Sequence, residues 1–253
     1  MATDERPSPQ PDELEVPEPP WLRRHRPARP RPALTREAIV EAALRVLDRE
    51  GASGLTMRRV ADELGCGAGA LYWHVENKEQ LVQLLFDRVI EELPQPTPDP
   101  RRWREQLKQA ARDARAVLQR HPGIAQLSLG RIPLGPNALR YLEWQLAVLR
   151  AGGLPDQVVA LAGDLLSLYV GAFAYEECLE LPALPGGEAP LEQRLREMRD
   201  YLASLPGDRF PNVAELAGEL VRANRDERFE FGLEVLVGGL AALAEGPPRR
   251  RRR

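Results

Sequence analysis

The chain predicts an all-α fold, and three observations carry that prediction. Apolar residues recur at helical spacing through nearly every segment from Thr35 to Ala244. No stretch sustains the two-residue alternation, closed by turn dipeptides, that marks strands. The periodic segments begin at Thr, Asn or Pro, or close at Gly or Pro, residues that start and stop helices. At 253 residues there is material for one large or two ordinary domains with cores of their own.

Taken in order, residues 1–33 are proline-punctuated and nearly without apolar periodicity, which predicts disorder. Arg23, Arg24, Arg26, Arg29 and Arg31 make this a basic arm, suited either to DNA phosphates or to plain solubility. Thr35 caps a first helix reaching about Glu50, with Glu37 in the first turn, where the helix dipole favours a carboxylate. Ile39, Ala43, Val46 and Leu47 form its inner stripe, and Gly51 ends it. Thr56 caps the second helix, Met57 to Leu64, with Leu55 placed to staple onto Val60 and Gly65 as the stop. Cys66 suits a small apolar plug between helices. A third helix spans about Ala68 to Val75, and Asn77 caps a fourth, with Gln80 completing a capping-box pattern. Leu81, Val82, Leu85, Val89 and Leu93 give that fourth helix one apolar side.

The segment from Pro94 to Pro100 cannot be helical, because its prolines remove donors and exclude the α region from the residues before them. It divides a small head, residues 34–93, from a larger body, residues 101–246, followed by a basic tail at 247–253. The body reads as helices over 101–120, 124–129, 136–151, 155–179, 191–205, 211–223 and 226–244. In the last of these, Phe229, Leu233, Leu236, Leu240 and Leu243 alternate steps of four and three, as in a coiled-coil seam. The helix over 155–179 is apolar nearly all round, Leu165 and Leu166 included, as a helix covered on several sides should be. Pairing these two helices with symmetry mates would bury a four-helix interface; the other reading is an ordinary monomer core. Were the head to read DNA, its small size would require duplication, which favours the dimer.

Charge and cysteine content exclude several classes. The formal net charge of −3 gives no global basic field; basicity is confined to the arm and the terminal arginines. Two distant cysteines, Cys66 and Cys178, give neither a disulfide framework nor a metal spacing, and fit a reducing cytoplasm. The N-terminus is unlike a signal peptide and no apolar run approaches a membrane span, so neither export nor a membrane partner is expected. His25, His74 and His121 are scattered, and no serine elbow, phosphate loop or metal-binding pair is present. Glu176 and Glu177 are adjacent and so point to different helix faces. An enzyme is not expected, and neither is a cofactor or a bound metal.

The informative stretch is GLTMRRVADELGCGAGALYWHVENKEQLVQLL, from Gly54 to Leu85. Tyr72, Trp73 and His74 follow one another on a short helix, so some must face outward however it rolls. Hydroxyl, indole and imidazole donors with Lys78 nearby suit a phosphate-lined groove. This is the pattern of a helix-turn-helix.

On these residues Thr35 to Leu93 resembles the DNA-binding domain of the TetR family of transcriptional repressors, with LYWHVENKEQLV close to the tetracycline repressor branch. The body resembles that branch more weakly, through HPGIAQLSLG, LEWQLAVLRAGG and FEFGLEVLVGGL. The resemblance implies a homodimer on a palindromic operator in double-stranded DNA, its heads in successive major grooves roughly 34 Å apart. It also implies a small-molecule effector in the body that swings the fourth helix and releases the DNA. By the resemblance the third helix enters the groove with Ala68, Gly69 and Ala70, where the tetracycline repressors carry larger base-reading side chains. The tetracycline operator is therefore not expected. Arg58 matches a guanine-reaching position; Tyr72 and His74 correspond to phosphate donors, Trp73 to mixed packing and groove contact, and Lys78 to a phosphate site at a helix start. For the effector, His121, Tyr141, Trp144, Tyr169, Phe173 and Tyr175 are candidate walls, with Arg131 and Glu176 as charged orienters. Ser128 stands where the tetracycline repressors place a metal-binding histidine, so a metal–tetracycline chelate is not expected. Leu165, Leu166, Phe229, Leu233, Leu236 and Leu240 are the candidate dimer interface. The alternative is a ligand-independent DNA-binding regulator or scaffold whose body core is filled.

Overall fold

The computed structural model describes residues 34–128, 130–131, 134–179, 190–221 and 224–244. The N-terminal arm and the basic tail lie outside these, so the expectations placed on them do too. Among the described residues there are twelve helices and no strand.

The head opens with α1, Arg36–Gly54. Thr35 accepts a hydrogen bond from the Ala38 amide at 3.1 Å, the cap its hydroxyl predicts. The sequence places the end of this helix at Gly51, and the chain does break there, at φ 72°, before one more helical turn carries it to Gly54. Helix α2, Met57–Leu64, starts from Thr56, which accepts from the Arg59 amide at 3.1 Å. It stops at Gly65, whose positive φ lets its own amide reach the Asp62 carbonyl and the Cys66 amide reach that of Ala61. Cys66 is half-buried rather than a plug in the core, because this turn holds it at the edge.

Helix α3 is shorter than expected: Ala68–Leu71, not through Val75. The chain tightens beyond it, the His74 amide reaching the Leu71 carbonyl at i+3 while Val75 keeps the i+4 bond. Helix α4, Lys78–Ile90, is capped by Asn77, which accepts from the Gln80 amide at 2.8 Å. Gln80 returns the contact one residue earlier than the standard box, accepting from the Glu76 amide.

The body comprises α5 (Trp103–Arg120), α6 (Pro122–Ser128), α7 (Pro136–Ala151), α8 (Asp156–Cys178), α9 (Leu191–Ala203), α10 (Pro211–Glu215), α11 (Ala217–Leu220) and α12 (Arg225–Ala244). One expected helix over 211–223 is thus two, separated at Leu216. Against the expectation that no apolar run approaches a membrane span, helix α8 is long and apolar enough to cross one, yet it packs on α5, α6, α7 and α12. The head meets the body where α1 and α4 pack on α6 and where α4 packs on α7. Gly123 on α6 lies so close under Leu47 that an added Cβ would fall 2.4 Å from its Cδ1.

Antiparallel α5 and α12 are joined by an ion-pair ladder. Lys108 meets Glu234, Arg112 meets Glu230 at 2.7 Å, and Arg115 meets Asp226 at 2.8 Å. Arg115 also takes Glu177 of α8 in a bidentate pair, and its guanidinium lies 5.2 Å from the Phe173 ring and 4.7 Å from the Phe229 ring. Tyr169 stacks on Phe229 and donates its hydroxyl to that residue's carbonyl at 2.8 Å. Both members of the Arg115–Glu177 pair are nearly buried, so removing one strands the other in a poor solvent. Arg115→Ala should therefore lose about 3 kcal/mol of stability in urea unfolding, while exposed-pair deletions such as Arg199→Ala stay within about 0.5 kcal/mol.

Candidate nucleic-acid interface and internal cavity

The head consumes most of its own charge. Arg59 reaches the Glu50 carboxylate at 2.9 and 3.0 Å, Arg49 and Arg45 take Glu63, and Arg88 takes Glu41 at 2.7 Å. Hydrogen bonds from these arginines hold Glu50 and Glu63 below the usual carboxylate range. Arg36 donates to the His74 carbonyl at 3.3 Å, tying the start of α1 to the turn after α3.

Arg58 and Lys78 stand apart: both are exposed, and neither has an ion pair or hydrogen bond among the described residues. The rings between them divide by face. Leu71 and Val75 are fully buried and anchor the turn in the head core, whereas Tyr72 is 53% and Trp73 89% exposed. His74 is half-buried, and no side-chain bond ties its ring, the Tyr72 hydroxyl or the Trp73 indole to the described residues. Hydroxyl, indole, imidazole, guanidinium and ammonium donors are thus gathered on α2, the α3 turn and the start of α4, without internal partners. At the leading end of α3, Gly69 is exposed and an added Cβ there would meet open space. Ala68 and Ala70 beside it are half-buried, and their methyls offer no hydrogen bond to a base.

A partly open cavity of about 580 Å³ lies between α4, α5, α7 and α8. Its walls are largely apolar and built from small residues: Ala110, Ala111 and Ala114 of α5, Gly163 and Gly171 of α8. Phe86, Val89, Ile90 and Leu93 bring α4 to the same space. Tyr141 and Gln145, one turn apart on α7, supply polar groups, and neither side chain has a hydrogen-bond partner among the described residues. Burial, with Asp113 nearby, pushes the Tyr141 hydroxyl up, so it stays protonated and free to donate to a ligand. Asp164 and Ser167 of α8 add to the lining.

Of the expected effector residues, Arg131 and Tyr141 line this cavity, and Arg131 also ion-pairs with Glu79 in the first turn of α4. The other six do not line it. His121 is held between Asp48 of α1 at 3.0 Å and Glu92 at 3.4 Å, bridging head and body. Trp144 turns to the proline linker, its indole donating to the Pro96 carbonyl at 2.6 Å. Tyr169 and Phe173 face α12 in the Arg115 cluster, and Glu176 pairs with Arg228 at 2.9 Å. Tyr175, near them, lies beyond the cavity-facing stretch of α8. Gln145 and the alanine and glycine walls were missed; small residues at helical spacing look like close packing, and only the third dimension shows that nothing fills the gap.

Most of the residues expected at a dimer face are turned inward. Leu166, Phe229, Leu233 and Leu240 are buried within the subunit and Leu236 is half-buried, because the four-and-three seam of α12 packs inward on α5 and α8. Leu165 alone of that set is exposed. The large apolar side chains left outward on the same two helices are Leu161, Leu165, Leu168, Phe231, Val235 and Leu243, beside exposed Gly238 and Gly239.

Comparison with known proteins yields two family matches. Residues 39–85 match the bacterial regulatory proteins of the tetR family, and residues 95–244 match the tetracyclin repressor-like C-terminal domain. An HTH-type transcriptional regulator of Saccharopolyspora erythraea is 34% identical, over 88% of this chain and 92% of the relative. The HTH-type transcriptional repressor DrrR1 of Streptomyces coeruleorubidus is also 34% identical, over 88% of this chain and 83% of its own. Among solved structures, the TetR family protein ActR of Streptomyces coelicolor in complex with actinorhodin is 41% identical with a TM-score of 0.77, covering 83% of this chain and 97% of that one.

An exposed ring contributes little to folding. Trp73→Ala should leave stability within about 0.5 kcal/mol of the parent in urea unfolding, whereas Leu71→Ala, which removes a fully buried side chain, should lose about 3 kcal/mol.

Proposed function

This chain belongs to the TetR family of transcription regulators, which are not enzymes, and we propose that it is a homodimeric repressor released from its operator by a small molecule held in the body cavity. The observation that carries the DNA side of this reading is the set of unpartnered donors, Arg58, Tyr72, Trp73, His74 and Lys78, on a head whose other cations are engaged. Arg58, with its planar fork, is the base reader, and Lys78 is a phosphate contact at the free amides of the α4 start. Tyr72 and His74 donate to phosphates flanking the groove, and Trp73 lies along it. Such a protein works on the chromosome, in the cytoplasm.

Two copies pair through α8 and α12, along Leu161, Leu165, Phe231 and Val235, with Gly238 and Gly239 permitting close backbone approach. Duplication supplies the two-fold arrangement that a palindromic operator requires. Residues 34–93 form the reading head, and 101–246 the effector and dimer body.

The cavity suits a ligand with a largely apolar body and a hydrogen-bonding edge turned to Tyr141 and Gln145. ActR is solved with actinorhodin, which makes that compound the first to test.

A gel shift on the DNA flanking the gene, with and without actinorhodin, tests the proposal; a protein that retards no segment of that DNA sinks it. Lys78→Ala should weaken binding to every sequence alike and flatten the salt dependence by roughly one charge. Arg58→Ala should cost about 1–3 kcal/mol on the operator and little on unrelated DNA. Gly171→Leu adds a side chain where a Cβ meets open space at the cavity wall; it should keep operator binding and lose the response to ligand.

A further inference from the structure

One buried charge has no role in the function described so far. Asp87, in the last turn of α4, is only 8% exposed, and its Oδ1 accepts from the Ala138 amide, at the third position of α7, at 2.9 Å. That amide is the donor a helix normally gives to its own capping side chain. Here the residue at the cap is Gly135, which has no side chain to offer. A Cβ at Gly135 would fall 2.1 Å from the Asp87 Oδ1 and 2.2 Å from its Cγ, so the carboxylate occupies the space that a local cap would use. Asn137 adds a second tie, donating from its side chain to the Asp87 carbonyl at 3.1 Å.

We propose that Asp87 is the joint by which the effector cavity positions the reading head. Both helices it joins form walls of that cavity: Phe86 and Ile90 flank Asp87 on α4, while Ala138, Tyr141 and Gln145 follow the capped turn of α7. At the other end of α4, about 13 Å along its axis, stands Lys78. A carboxylate that caps a neighbouring helix does so in a narrow range of distance and direction. It therefore holds α4 in one register against α7, and a molecule that parts the two walls must break the cap. Loss of the bond leaves a buried carboxylate and a free helix amide, so the joint has two distinct states rather than a continuum. This inference rests on the reading of the cavity as an effector site, but its first test does not use a ligand.

That test is amide hydrogen exchange on the free full-length protein and three variants. Asp87→Ala removes the cap, Gly135→Ala expels the carboxylate from the opposite helix, and Asp87→Asn keeps an acceptor oxygen of the same size. The first two should exchange roughly tenfold faster both in the opening turn of α7 and along α4, the scale of a lost cap. Helices α8 and α12 should be unchanged, and Asp87→Asn should stay near the parent. Faster exchange confined to α7 overturns the proposal, since the cap would then serve that helix alone; so does loss of protection throughout all three variants, which would make Asp87 an ordinary core element. With operator DNA and actinorhodin as the probe, Asp87→Ala should still bind the compound, read by tryptophan quenching, but lose roughly tenfold of the change in operator affinity that it causes. An undiminished change also overturns the proposal. A parent protein that never responds to actinorhodin refutes the ligand, not the joint, which the exchange experiment then decides.

Discussion

Much of the body rests on the Arg115 guanidinium. It is nearly buried, yet it has two carboxylates and two aromatic faces, drawn from α8 and α12, so its desolvation is met by partners on every side. Because those partners sit on different helices, the guanidinium sets the spacing of α5, α8 and α12 together. Spacing fixed by one large group, with alanine and glycine lining the neighbouring stretch, leaves a void between the helices. The cavity is thus a result of where bulk is placed, with bulk at the cluster and its absence along Ala110, Ala111, Gly163 and Gly171.

The head shows the complementary economy. Carboxylates on α1 and α2 engage the arginines that lock those helices together, and Glu41 engages Arg88 of α4. What remains outward is a short row of donors without acceptors. A surface of this kind has no internal use for its hydrogen-bonding capacity, and a polyanion supplies the missing acceptors.

Local signals in the sequence were strong where a single residue decides a local geometry. Thr35, Thr56, Asn77 and Gly65 do what their chemistry indicates, and the outward rings of the α3 turn followed from their crowding on a short element. Signals failed where the answer depends on what lies opposite. The seam on α12 is real, but periodicity does not say whether its mate belongs to the same subunit or to another, and Phe229 and Leu233 proved to face inward. Large, polar-tipped aromatic residues suit cavity walls, but Tyr169 and Phe173 instead pack in the Arg115 cluster. Asp87 carried no signal at all, since its partner, an amide on α7, is invisible in a string of side chains.

The leading edge of α3 is nearly bare. Gly69 is exposed, with open space where a side chain would begin, and its neighbours carry only methyl groups. Substitution there meets no packed neighbour, so a side chain added at this position costs folding little. This edge can therefore carry larger or more polar groups while the scaffold beneath keeps its packing.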